Sequence, residues 1–353
     1  MGLVAIALND AGVELASGDS LLLESPGYAI VDDGGFLVGE PARRHSKLNP
    51  RLVHNLFWDA LSTQTLARPV PQASMVADLA AAHLAHLWDR RPADAEGAIF
   101  VVPGTYTQQQ LGLLLGIAEE HRVPIRGLVD AALASCRQPS SNNVLLHLDL
   151  HLHRVVLTVL EQGTRLHRRS ATSSEAVGLF SLYENWIKLI AGQFVRESRF
   201  DPLHRGETEQ EMHDRLPGWL KNLLEQSSTL VEMRARDGRV HAIELTRDAV
   251  VAAAGDAYER IAELIADARL RRPLSLLLSH RLCALPGCVQ RLALLDDVHI
   301  VPLPPGAAAL GALRHAAHLT GGPPNTLTLS LPWRTKPELR PPTGPPPERV
   351  DET

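Results

Sequence analysis

Four side chains able to do chemistry stand in one short stretch: His147, Asp149, His151 and His153, each two residues from the next. On an extended strand such residues share a face. Three imidazoles and a carboxylate on one face would suit a divalent metal. A bend near residue 151 would instead scatter them, leaving the histidines to bond to each other or to water inside a cleft. In a cleft, imidazoles that titrate near neutral pH could bias its closure. A second set is cationic. Arg126, Arg154 and Arg281 could hold an anion, because guanidinium geometry matches phosphate. Without an oriented nest of backbone amides such a site is poor, so pairing with Asp149, Asp130 or other carboxylates is the favoured reading. Cys283 and Cys288 flank Pro286-Gly287 without redox-pair spacing, which points to packing. Ser25, Ser173 and Ser174 lack a nucleophile-elbow context.

The histidines sit at the centre of residues 144–160, VLLHLDLHLHRVVLTVL, which reads as strand, short polar turn, strand. Upstream, residues 3–8 and 21–23 read as strands, and Asp33-Gly34-Gly35 between apolar flanks as a hairpin turn. Helices are expected over 74–88 and 107–121, the latter with Leu111, Leu114, Leu115 and Ala118 on one face. Strands are expected at 98–102 and 123–128, then a short helix at 130–135. Downstream come a helix around 181–194, a charged solvated region 196–215, a helix at 219–226, and strands at 230–233 and 240–245. A helix over 249–268, the longest, has Ile261, Leu264 and Ile265 as core candidates. Strands at 274–278 and 299–302 and a helix at 306–318 complete the pattern. Strands alternating with helices predict an α/β fold with mixed sheets.

The chain has 353 residues, 45% of them hydrophobic, and a formal net charge of -5. Two lobes of ordinary domain size are possible, and no basic excess suggests a nucleic-acid partner. Three cysteines without CxxC spacing, no basic leader and no run of about 18 apolar residues point to a cytoplasmic chain off the membrane. From residue 321 proline clusters replace apolar residues, so 321–353 is expected to be a mobile tail. Within it LTLSL, residues 327–331, alternates apolar and polar and could pair with a sheet edge.

Several segments resemble, in order, the nucleotide-binding domain of DnaK-type chaperones, the heat-shock protein 70 family of the actin-like ATPase superfamily. They are SPGYAIVDDGGFLVGEPARRHSKLNP, VPGTYTQQQLGLLLGIAEEHRVPIRGLVDAALAS, the hairpin around Asp149, ELTRDAV, LLLSHRLCALPGCVQRL and VPLPPGAAALGALRHAAHL. The resemblance implies an α/β, two-lobed actin-like ATPase (ribonuclease H-like) fold. Lobe I would span 1–140. Lobe II would span 141–320, with an outer subdomain near 195–270.

The same resemblance implies a degraded site. The family's second phosphate turn reads Asp-Leu-Gly-Gly-Gly-Thr; here Asp149 and Leu150 match, but His151, Leu152, His153 and Arg154 follow. Its first turn, Asp-Leu-Gly-Thr-Thr, becomes Ala7-Leu8-Asn9-Asp10-Ala11, where Asp10 would repel a phosphate. Its Glu-Pro-Thr becomes Gly127-Leu128-Val129, and its adenosine-side Gly-Gly becomes His280-Arg281. Residues 216–227 offer no adenine clamp, and Pro217 interrupts them. Phosphoryl transfer needs a positioned metal and oriented donors. The expectation is a non-catalytic, chaperone-like binding or scaffold protein with a protein partner and no cofactor, its oligomeric state left open. The degenerate cleft would be lined by Asn9, Asp10, Asp149, His151, His153, Arg154, His280 and Arg281. One alternative keeps ATP and Mg2+ with slow turnover, Asp149 holding the metal and Arg154 or Arg281 a phosphate. Another makes His147, Asp149, His151 and His153 a metal-responsive switch.

Overall fold

The structure, a computed structural model, describes residues 2–32, 35–70, 72–137, 144–268 and 273–332. Asp33, Gly34, the proline clusters beyond residue 340 and the junction at 140–141 lie outside the described residues.

The chain is mixed α/β, and it builds two six-stranded sheets by the same route. In the first, Gly2–Ala7, Val13–Ser17 and Ser20–Ser25 form an antiparallel meander. Ala95–Val102 and then Ile125–Asp130 add in parallel on the other side of Gly2–Ala7. The second sheet repeats that order. Val144–Leu150, Val155–Gln162 and Arg165–Ser174 make the meander, and Leu274–Leu278 and Val298–Pro302 add in parallel. Central parallel strands are buried on both faces, which is why Leu274–Leu278 is leucine at every position but Ser275, and all five residues are buried. A parallel neighbour requires a crossover. The helix Gln108–Glu120 supplies one, started by a capping box between Thr107 and Gln110.

The two halves meet through short helices of small residues. Asp130 starts the helix Ala131–Ser135, its Oδ1 accepting from the amides of Ala132 (2.9 Å) and Leu133 (3.3 Å). The helix Ala307–Arg314 crosses it so closely that a Cβ on Gly311 would collide with the Ala134 carbonyl. Around this crossing Ala5, Ile99, Val129, Leu145, Leu277 and Leu331 join one core shared by both sheets. Each half also has its own larger core.

Several expectations are corrected. Residues 206–225 are one helix, Gly206–Glu225, running through Pro217, so most of the charged stretch is helical. Met212, Leu216, Trp219, Leu220 and Leu223 form its buried stripe; the charges between them had hidden the period. It and Leu179–Ser198, at 20 residues each, are the longest helices described. The segment 249–268 is two helices, Arg247–Ala253 and Gly255–Ala268, and Leu264 is only partly buried beside Ile261 and Ile265. Residues 306–318 likewise divide at His315. LTLSL does pair with sheet edges, and with two of them. Leu327–Thr328 lies parallel to Ile125–Asp130, and Ser330–Pro332 antiparallel to Arg165–Ser174. No helix among the described residues is long and apolar enough to cross a membrane.

Candidate functional site

The two meanders present their first turns to each other. After Gly2–Ala7, Asn9 folds its own turn by accepting the Ala11 amide on Oδ1 at 2.9 Å. Its amide nitrogen then crosses to the second half, donating to Asp149 Oδ2 (3.0 Å) and to the Leu150 carbonyl (3.1 Å). Asp10 also crosses, its Oδ1 accepting the backbone amide of Leu152 at 2.7 Å. The carboxylate expected to repel a phosphate therefore occupies an amide of the opposite turn. Gly178 closes this turn from behind, where a Cβ would meet the Leu152 and His153 backbone.

The bend after Leu150 parts His153 from His147, Asp149 and His151. His147 is buried on its strand and lines the same small cavity as Asp149 and His151. His151 lies 3.4 Å from Asp10 Oδ1 and 3.7 Å from Asp149 Oδ2. Leu152 drops into a small apolar cluster with Tyr28, Ile30 and Ala42. His153 leaves the cleft, its Nε2 3.0 Å from the Asn55 carbonyl and its ring against Phe180. Among the described residues no three His, Cys, Asp or Glu side chains are placed to share a metal ion.

Two of the three arginines, Arg154 and Arg281, are committed to carboxylates, though not to Asp149 or Asp130. Arg281 crosses to the first half, donating to Glu24 (2.6 Å) and the Gly12 carbonyl (2.8 Å), with Glu14 at 3.7 Å. Arg154 pairs with Asp59 at 2.5 Å, with Glu175 at 3.6 Å. Asp130 is held by Arg168 at 3.0 Å rather than by Arg126, which is exposed. Farther out, Lys47 binds Glu184 and Glu209, and Gln210 accepts the Lys47 amide.

Burial and these neighbours set the ionisation. Burial would raise Asp149, but His151, Arg281 and His147 outweigh it and hold its carboxyl down at about 2. Asp10 follows the same logic: burial is overcome by His151 and the Leu152 amide, and its pKa is lowered. For Glu14 burial wins over Arg281 and pushes the carboxyl up to about 7. Burial lowers His147 against the pull of Asp149, and lowers His280 with help from Arg281. Ser25 is no nucleophile here. Trp58 Nε1 donates to His83 Nδ1 at 2.9 Å, so the proton sits on Nε2 and points at Ser25 Oγ, 2.8 Å away.

What remains open is small. A cavity of about 40 Å³ lies among Asn9, Glu14, His147, Asp149, His280 and Arg281. A second, of about 20 Å³, lies among Asp10, Trp58, Asp59, Tyr106 and Arg154, with His151 lining both. These volumes suit one or a few waters, whereas organic ligands occupy pockets of about 300–1,000 Å³. Glu14, Glu24, Asp59 and Arg168 were missed from the sequence. Only Glu14 carried a signal: a carboxylate inside the apolar run Val13–Ser17 must find a buried partner.

No known family model matches this chain, and no curated protein matches it significantly.

Proposed function

We propose that this chain is a non-catalytic, chaperone-like binding or scaffold protein on a two-lobed actin-like ATPase frame. Its own side chains would fill the crevice where that frame otherwise holds a triphosphate. The duplicated strand order, with small-residue helices crossing between the two sheets, supports the frame. Each lobe would carry one sheet, and the paired helix Leu179–Ser198 and helix Gly206–Glu225 with the hairpin Ser228–Arg234 and Val240–Thr246 would form the outer subdomain.

The observation that carries the non-catalytic reading is the contact of Asp10 with the Leu152 amide. An amide that would face an anionic ligand is taken by a carboxylate of the chain itself. Asn9 adds hydrogen bonds across the same gap, and Arg154 and Arg281 are engaged by carboxylates of the opposite half. Phosphoryl transfer depends on donors and metal left free to meet the nucleotide. With these groups satisfied, the chain acts through protein contacts, for which the outer subdomain and the C-terminal segment are the candidate surfaces.

The rival is a nucleotide-binding protein with slow turnover. Isothermal titration of the full chain with MgATP separates them. The proposal expects no saturable heat up to millimolar nucleotide; binding at micromolar concentration would replace it by the rival.

A further inference from the structure

Residues 327–332 do something unusual for so short a segment: they complete the edges of both large sheets. Leu327 and Thr328 pair in parallel with Leu128 and Val129. Ser330, Leu331 and Pro332 pair antiparallel with His167, Leu166 and Arg165. The seat has side-chain recognition as well as backbone pairing. Leu331 is 0% exposed in the core shared by the two halves. Arg165 forks onto Ser330, its Nε donating to Oγ at 2.8 Å and its Nη2 to the carbonyl at 3.1 Å. The Arg168 amide donates to the Leu329 carbonyl at 3.0 Å.

The segment's tether is of a different character. Residues 320–326 are all exposed, between the buried Leu319 and the first paired residue. Seven residues reach up to about 23 Å when extended. An element with a specific seat, few paired residues and an exposed tether can leave its own seat and enter an identical one.

We infer that this seat is an exchangeable strand-docking site, and that its second occupant is the same segment of another copy of the chain. The chemistry of the seat selects that partner. The seat takes an extended strand with a leucine for the shared core, a serine whose hydroxyl and carbonyl accept from Arg165, and a proline at the end. A second copy offers that strand in the same order. Reciprocal exchange restores every contact, so only the tether and the loss of free motion oppose it. An emptied seat would leave two unpaired sheet edges, which recruit strands.

The test uses the full chain carrying Leu331→Asp, which cannot bury its own residue 331, and a dye-labelled peptide of residues 325–332. The variant should bind one peptide per chain by fluorescence anisotropy, and native mass spectrometry of the concentrated wild-type chain should show a dimer that the variant lacks. A peptide with Asp in place of Leu331 should bind about tenfold to a hundredfold more weakly, the value of a buried leucine. The wild-type chain, its seat occupied, should take up peptide less readily than the variant. Leu331→Ala, which keeps the position apolar, serves the same measurement if the aspartate prevents folding. A variant with native circular dichroism that binds no peptide, or a wild-type chain that stays monomeric as its concentration is raised, overturns the inference.

Discussion

Glu14→Gln gives the sharpest quantitative handle on the filled crevice. Glu14 is 4% exposed, with its Oε1 3.3 Å from the Gly306 amide and 3.7 Å from Arg281. Its carboxyl is pushed up to about 7 from 4.5, chiefly by burial. Because the folded-state value lies above the unfolded one, folding takes up a proton. The stability tied to that proton is complete below pH 4.5 and is lost as pH rises through about 7. Between pH 5 and pH 8 the loss is about 2.5 kcal/mol, from the linkage relation with those two values. Glutamine keeps the acceptor for Gly306 and mimics the protonated acid, so the variant lacks this loss. Urea denaturation of both proteins at pH 5, 6, 7 and 8 should show the variant gaining on the parent by about 2.5 kcal/mol across the series. A difference constant within about 0.5 kcal/mol would mean that Glu14 is not held in a dry, carboxylate-rich crevice.

Three further outcomes are expected. Arg168→Met strands the fully buried Asp130 carboxylate and should cost about 3–5 kcal/mol in denaturant unfolding; a cost below about 1 kcal/mol would show the pair to be dispensable. Pro217→Ala restores an amide inside the helix Gly206–Glu225 and should raise the unfolding free energy by about 1–3 kcal/mol in urea denaturation; an unchanged or lower value would mean that the proline is accommodated without strain. Replacing Asp10 and His151 by glycine, which frees the Leu152 amide and enlarges both small cavities, should bring MgATP binding into the range calorimetry measures; a folded variant with no detectable binding would mean that these side chains are not what keeps nucleotide out.

The elements of the fold were legible where hydrophobic period and burial agree. The meander turn at 150–155 and the buried strand Leu274–Leu278 could be read directly, because apolar residues dominate strands buried on both faces. The helix Gly206–Glu225 could not, since carboxylates and a proline mask a stripe that only its packing partners define. The helix end at Ala254 is marked only by Gly255, and the end at His315 carries no such residue, since packing there directs a new axis. In the site, the bend after Leu150 was one of two readings of the histidine spacing, and it is the one that sends His153 to Asn55. Arg126 is exposed, and Arg154 and Arg281 do sit beside carboxylates. Their partners Asp59, Glu24 and Glu14 lie 95 to 267 positions away in sequence, a distance over which spacing carries no information.

The filling of the crevice can be seen most directly by growing crystals of the wild-type chain with 10-fold excess MgATP and examining density between Asn9 and Leu152. The account expects the Asn9–Asp149 and Asp10–Leu152 contacts intact, with only water in the two small cavities. A nucleotide seated there, with the Leu152 amide turned from Asp10 to a phosphate oxygen, would contradict it.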